Sequence, residues 1–406
     1  MEEWPLRGVG VGWCKGDGMT VMGTISKLLV VALVAPMLLA AAPARAQAAL
    51  PPTDAPPFHV QLAAWADRLD ARAAELEAQP VQPATRIGSG PLLKKGAEGE
   101  RVERLAQRLI ELGHLPPDLR AGRFDDAIDA AVRAFQVGLG LKADGKVGGG
   151  TRIALDRTPQ EAARLMRQSA HAMRAFRETA PESVLIVNLP SQETTLVRGD
   201  RLELTMRSIV GRPERETPLL EDRITHIIVN PTWTVPPTVL KKDKLPNLRE
   251  RGTTGIENAI VYLDGEPVLP ETVDWKTVSP GRVRIVQQPG DWNALGRFRF
   301  NLTNPHNIYL HGTNEPRLFD RDIRTISSGC VRLQDARGLA ELLLAEVGVT
   351  PQKIDDLLAK GEPQWIKVRS LPVRFVYWTA TVASDGTIRL HPDVYDLGEE
   401  RAPTGA

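Results

Sequence analysis

Cysteine is nearly absent. The 406 residues hold two, Cys14 and Cys330, so no disulfide framework can staple the fold. An excess of one charge is lacking too: 51 Lys and Arg face 50 Asp and Glu, for a formal net charge of +1. A neutral chain gives no reason to invoke nucleic acid. Metal-ligand clusters of the usual spacing are missing. His306 and His311 with Cys330 approach one, but no paired Cys or carboxylate completes it, so no metal and no cofactor is expected. Long apolar runs are confined to the first fifty residues.

Residues 1–21 show no hydrophobic periodicity and carry glycine at positions 8, 10, 12, 16 and 18. Met19 and Met22 are alternative starts to Met1. From Met22 the pattern is that of a secretory signal peptide: basic Lys27, an apolar run from Leu28 to Ala42 broken at Pro36, and the small-x-small site Ala44-Arg45-Ala46 before Gln47. A retained membrane anchor needs about 20 apolar residues, and this run is shorter. The expectation is an exported protein with no membrane span after cleavage. Cutting after Ala46 removes four basic residues (Arg7, Lys15, Lys27, Arg45) and three acidic ones (Glu2, Glu3, Asp17), leaving 47 of each sign.

Export sharpens the cysteine argument. Cleavage removes Cys14, and exported proteins normally pair their cysteines or avoid them. Cys330 remains alone, after Ser327, Ser328 and Gly329. Nineteen residues upstream stands His311, followed by Gly312 and ending the apolar run Ile308-Tyr309-Leu310. A thiol becomes a nucleophile when a neighbouring base takes its proton or an imidazolium stabilises the thiolate. The plain alternative is a small buried hydrophobe and a hydrogen-bonded histidine.

Along the chain, Pro51 to Pro57 is a proline-rich entry. Residues 59–79 read as an amphipathic helix through Leu62, Trp65, Leu69, Ala73 and Leu76. A Pro, Gly and Ser-rich linker over 79–91 follows. Residues 96–155 form a compact helical unit. Its first helix runs over 100–112 and stops at Gly113, the second starts at Asp125-Asp126, and the third starts at Thr151. Residues 158–179 form a second long amphipathic helix, expected to pack on the first. From Ser183 the period changes to that of strands: 184–189, a hairpin of 194–197 and 202–210, then 224–229. The lysine-rich excursion over 238–282 reads as a functional lid rather than slack chain. Strands at 285–288, 297–301 and 308–310 are expected to resume the sheet. A helix at 339–347, a strand at 373–382, an Asp385-Gly386 turn and a strand at 387–390 follow, with disorder from about Glu399.

Two stretches carry resemblances. G-A-E-G-E-R-V-E-R-L-A-Q-R-L-I-E-L-G, then Ala131-Val132 with Phe135-Gln136, then Asp144-Gly145-Lys146-Val147-Gly148, resemble the three-helix peptidoglycan-binding module of cell-wall enzymes. Residues 184–390 resemble the L,D-transpeptidase catalytic domain of YkuD type, in its large scaffolded periplasmic subfamily. The carriers are V-L-I-V-N-L-P-S, M-R-S-I-V-G-R-P-E-R-E-T-P, I-I-V-N-P-T-W-T-V-P-P, Q-P-G-D-W-N-A-L-G, Y-L-H-G-T, S-S-G-C-V-R-L and L-P-V-R-F-V-Y-W-T-A-T-V. The family's usual Ser-His-Gly-Cys reads Ser327-Ser328-Gly329-Cys330 here, so its second histidine is Ser328.

The resemblance implies an α+β multidomain protein. Its parts would be a leader (1–46), entry, scaffold helix and linker (47–95), peptidoglycan-binding module (96–157), scaffold helix (158–182), mainly-β catalytic domain (183–349, lid 238–282) and C-terminal extension (350–406). It implies a periplasmic enzyme acting on peptidoglycan stem peptides and glycan. Cys330 would be the nucleophile, His311 the base and Gly312 the carbonyl that fixes its tautomer. Backbone N–H groups around Ser328 and Gly329 to Cys330 would bind the oxyanion. Arg332 would orient the loop or a substrate carboxylate, or else pair with Asp320 or Asp322. Tyr309 and Trp233 would be wall residues. A hydrolase using the same thioester is the alternative reading, with a non-catalytic wall binder behind it.

Overall fold

The structure, a computed structural model, describes residues 56–80, 84–119, 122–139 and 141–397. The leader over 1–46 and the tail from Glu399 lie outside the described residues.

Two long helices form the scaffold. Helix α1 spans Phe58–Glu77, and α5 spans Pro159–Thr179. The start of α5 is fixed by Thr158 and Glu161 in a capping box with Pro159 in the first turn. Leu62, Leu69, Ala73 and Leu76 pack on Ala163, Met166, Ala170 and Met173. Arg167 reaches Glu77 and Arg174 reaches Asp67. As one numbering rises the other falls, so the pair is antiparallel. Exposed ion pairs of this kind are worth about 0–1 kcal/mol each, so the apolar stripe holds the pair.

Between them lies the small module: α2 (Glu100–Glu111), α3 (Asp126–Gly138) and α4 (Gly149–Asp156). Asp125 caps α3 by accepting from the Ile128 N–H. Val102, Leu105, Leu109, Phe124, Ile128, Val132 and Leu155 fill its core. Buried Gln136 pins the glycine-rich turn, accepting from Gly145 N–H and donating to Lys146 O. The module touches the β domain at Gly149. A Cβ there would lie 2.8 Å from Ile323 Cδ1, in the segment that joins His311 to Cys330.

The β domain opens with β1 (Val184–Asn188), β2 (Glu193–Arg198), β3 (Arg201–Gly211) and β4 (Glu221–Val229). Next come β5 (Trp233–Thr234), α6 (Pro237–Val239), a π turn at Leu240–Lys244, α7 (Leu245–Arg251), β6 (Ala259–Leu263), β7 (Glu266–Val268) and β8 (Val283–Gln287). Then follow β9 (Phe298–Asn301), β10 (Leu310–His311), β11 (Thr325–Ser327), β12 (Val331–Leu333), α8 (Ala336–Ala345), α9 (Pro351–Lys360), β13 (Gln364–Val376), β14 (Ala380–Val382) and β15 (Ile388–Leu390). Nine strands join in the order β11-β3-β12-β10-β9-β4-β13-β1-β2. Strand β3 also pairs with β2, so the sheet closes on itself and leaves few free edges. The main core gathers Ile227, Phe298, Phe300, Leu310, Val331 and Phe375 with Leu339 of α8 and Leu357 of α9.

Three expectations change. Strand β8 does not resume the main sheet; it joins β5, β6 and β7 in a separate four-stranded sheet, order β5-β8-β6-β7. That excursion has a core of its own, including Val235, Leu245, Leu248, Val261, Trp275 and Ile285, so it is a folded subdomain running from β5 to β8. Second, the segment read as a C-terminal extension supplies β13, which lies between β4 and β1 in the main sheet. Third, the strand read over 373–382 breaks between β13 and β14. Asn188 explains the break: its side chain accepts from Trp378 N–H and donates to Trp378 O, diverting the chain toward the helices. Trp378, Ala380 and Val382 then join the α1–α5 core.

Candidate active site

Strands β10 and β12 are parallel neighbours, with Leu310 opposite Val331 and His311 opposite Arg332. Tyr309 O accepts from Val331 N–H at 3.2 Å, which carries the register back to Tyr309 beside Cys330. Side chains alternate across a strand. Leu310 and Val331 therefore enter the main core, while Tyr309, His311, Cys330 and Arg332 share the opposite face.

His311 is buried, and its Nδ1 lies 2.6 Å from Gly312 O. A carbonyl only accepts, so Nδ1 carries the hydrogen and Nε2 keeps its lone pair. Burial depresses the imidazole pKa to about 3; the cations of Arg332 and Arg299 add to this, and the carbonyls of Gly312 and Leu295 oppose it. The imidazole is thus neutral at neutral pH. The Cys330 thiol is pushed up by burial, opposed by the N–H and hydroxyl of Tyr309 and by the charges of Arg299 and Arg332. Cys330 is a free cysteine, and its Sγ–H donates to Asn307 O at 3.6 Å. No hydrogen bond joins thiol to imidazole among the described residues, so the resting pair is neutral thiol and neutral base rather than a preformed ion pair.

The nucleophile loop is tightly tied. Ser327 Oγ accepts from Gly329 N–H at 3.1 Å and donates to Cys330 O at 2.6 Å. Thr217 Oγ1 donates to Gly329 O at 2.7 Å. Gly329 has φ of 114°, and a Cβ there would press on Ile308 Cδ1 at 3.2 Å. Its N–H is occupied by Ser327, which removes Gly329 from the expected oxyanion donors. Ser328 is exposed, and its hydroxyl accepts from Arg215 Nη1 at 3.0 Å. The same guanidinium binds both oxygens of Asp243 in the π turn, at 2.8 and 2.9 Å.

Arg332 contacts Glu315 at 3.2 Å and Thr313 Oγ1 at 3.4 Å, so its ion-pair partner is Glu315, not Asp320 or Asp322. Tyr309 hydroxyl contacts both Cys330 and the Trp233 side chain, and burial raises its pKa well above the usual phenol value. Trp233, Tyr309, His311, Gly312, Cys330 and Arg332 are thus brought together. A cavity of about 460 Å³ opens beside the loop, lined by Glu214, Glu216, Lys242, His306, Ser328 and Gly329. It offers side chains of both charges. Among the described residues no group of three His, Cys, Asp or Glu side chains could hold a metal ion.

Sequence reasoning missed Arg215 and Arg299. Arg299 had a local signal: a charged residue between Phe298 and Phe300, on a strand whose alternate positions are buried. Arg215 had none, since its partners lie 28 and 113 residues away.

Comparison with known proteins gives two family matches. Residues 182–363 match the YkuD family, described as "L,D-transpeptidase catalytic domain". Residues 98–155 match a family described as "Putative peptidoglycan binding domain". The protein named "Putative L,D-transpeptidase" from Haemophilus influenzae is 35% identical over 216 residues, covering 52% of this chain and 44% of that protein. The chain therefore spans less than half the length of that curated relative. Among solved structures, L,D-transpeptidase 3 from Mycobacterium tuberculosis shares 10% identity over 48% of this chain and 61% of that one, at a TM-score of 0.24. An L,D-transpeptidase from Stackebrandtia nassauensis shares 15% over 73% and 97%, at 0.22. Scores this low carry no weight for the conclusion. The fold is α+β, a helical N-terminal region followed by a β-rich domain with a cysteine and a histidine on one face. The chain carries an L,D-transpeptidase catalytic domain of the YkuD family, together with a peptidoglycan-binding domain.

Proposed function

We propose that the protein is an exported, periplasmic enzyme that cross-links peptidoglycan through its stem peptides. The observation that carries this reading is His311, buried and neutral, with Nδ1–H held on Gly312 O and the Nε2 lone pair left free on the face that bears Cys330.

The chemistry runs in two halves. Cys330 Sγ attacks the carbonyl of the third stem residue while its proton passes to His311 Nε2. Catalytic hydrogen bonds are often loose before substrate binds, so the thiol S–H turns from its acceptor Asn307 O to His311 Nε2 as the peptide enters. The tetrahedral oxygen takes up negative charge, and the donors we assign to it are the Cys330 and Ser328 N–H groups with the Tyr309 hydroxyl. The C–N bond then breaks, His311 returns its proton to the departing D-alanine amine, and a thioester remains. A side-chain amine of a second stem attacks that thioester, losing its proton to His311, which passes it to the departing sulfur. The peptidoglycan-binding domain would hold the glycan polymer near this site.

Purified tetrapeptide muropeptides separate the outcomes by product mass. A cross-linked dimer that has lost one D-alanine is expected. Tripeptide monomer alone would mean that water intercepts the thioester and the enzyme is a hydrolase. No product, with no covalent adduct on Cys330 from a carbapenem, would reduce the protein to a wall binder.

A further inference from the structure

Arg299 lies on β9 directly opposite His311, in register across the antiparallel pair. Its neighbours Phe298 and Phe300 point into the main core, so Arg299 points to the face of the thiol. The guanidinium sits over the Tyr309 ring, 4.1 Å from its centroid, and Tyr309 in turn contacts Cys330. Nη2 donates to the neutral side chain of Asn301 at 2.9 Å. Nε is buried without a partner, and no ion pair of Arg299 occurs among the described residues. Arg332, the other cation on this face, is matched by Glu315.

Arg299 is half-buried, and a cation with a buried, unpartnered nitrogen is best satisfied where another group nearby becomes negative. Around Arg299 stand Tyr309 and His311 on β10, Ile228 on β4, and Cys330 and Arg332 on β12, with Glu315 beyond Arg332. Glu315 is already paired, and His311 never becomes an anion. The groups left to take negative charge are the Cys330 sulfur and the oxygen of a tetrahedral intermediate formed on it.

We propose that Arg299 is a positioning residue for the Cys330 reaction: stacked on Tyr309, its unmatched cation holds the phenol against the thiol and stabilises the negative charge that develops there. The direction of its effect on the thiol agrees, since its charge pulls the Cys330 pKa down against burial. This rests on the reading of Cys330 as the nucleophile. It adds a cation outside the His311–Cys330 pair.

The test is alkylation of Cys330 by iodoacetamide across a pH series for the wild type, R299M, R299Q and R299K, with thermal melts to confirm folding. An opposite charge at this range moves a pKa by about one unit or more. Both neutral variants should therefore shift the alkylation midpoint upward by about that amount and react about tenfold more slowly at neutral pH. R299K should stay near the wild type. Coincident midpoints for wild type, R299M and R299Q would overturn the proposal. So would a lysine variant shifted as far as the neutral ones, since shape rather than charge would then be at work. Alkylation requires no stem peptide, so failure of the cross-linking reading, seen as absent muropeptide products, remains distinguishable from failure of this one.

Discussion

Leu310 and Val331 are fully buried on one face of the β10–β12 pair, while Tyr309, His311, Cys330 and Arg332 occupy the other. The two faces differ in what they tolerate. On the core face a side chain is held by area and shape alone, so any apolar residue of similar volume would serve. On the other face polar groups are held by specific neighbours: Nδ1 on Gly312 O, Sγ–H on Asn307 O, Arg332 on Glu315. One alternation produces both. The core face fixes where the strands lie, and the polar face inherits those positions. Substitutions should therefore separate cleanly, with rate lost from one side and stability from the other.

The largest break is Cys330→Ala. It should abolish acylation by a carbapenem and all muropeptide products while leaving the melting temperature close to wild type, because the cysteine is only partly buried and its hydrogen bond to Asn307 O is long. Intact-protein mass spectrometry beside a thermal melt checks both halves. An adduct surviving on the variant would place the nucleophile elsewhere.

His311→Ala should slow acylation by about 10²–10⁴-fold, the range for a positioned base. It carries a second signature in pH. The folded imidazole has its pKa depressed to about 3, from 6.5. The unfolded chain therefore binds the extra proton between those values, and the native protein loses stability as pH falls through that window. The alanine variant should show a shallower fall of stability from pH 6.5 downward. A wild-type acylation rate in this variant would make Cys330 an ordinary thiol.

Phe300→Ala strikes the opposite face. Phe300 is fully buried among Ile227, Leu310 and Phe298. The truncation should remove about 3–5 kcal/mol of stability, read by urea unfolding, with the acylation rate per folded molecule little changed. A large loss of rate without loss of stability would erase the distinction between the faces.

The sequence carried this face more fully than it carried the sheet around it. Thr158-Pro159 with Glu161, and Asp125, announce helix starts because caps are local chemistry, and the helices begin there. Tyr309 to Thr313 and Ser327 to Leu333 could be read as strand rims because their apolar runs are short and abut glycine. Strand β13 was legible only at its end, over 373–376. Pro372 argues against a strand, yet it is accommodated opposite Arg223, just past the register shift between Lys367 and Leu371. Strand β8 was recognisable as a strand, but alternation does not name a partner, and its sheet is the small one. The tie from Arg215 to Asp243 and Ser328 joins three separated segments, and no local pattern encodes it.

That tie sets the smallest expected effect. Arg215 holds both oxygens of Asp243, from the four-stranded subdomain, and the hydroxyl of Ser328, two residues before the nucleophile. The Asp243 side chain is 39% exposed, so water screens the pair, and a contribution of about 1 kcal/mol or less is expected. Asp243→Asn should therefore change acylation by only a few-fold, about the factor that energy allows. Ser328→Ala should be comparably mild and far milder than His311→Ala, because its hydroxyl accepts from Arg215. A double-mutant cycle of Asp243→Asn with Arg215→Gln measures the coupling. The arginine holds the Asp243 carboxyl below its ordinary pKa of 3.8. The coupling is then complete above that value and disappears as pH falls through the lowered one. If the cycle shows no coupling at neutral pH, the subdomain is not held to the nucleophile loop by this pair. If Ser328→Ala proves as damaging as His311→Ala, the serine hydroxyl acts on the reacting atoms and belongs with the polar face of β10 and β12.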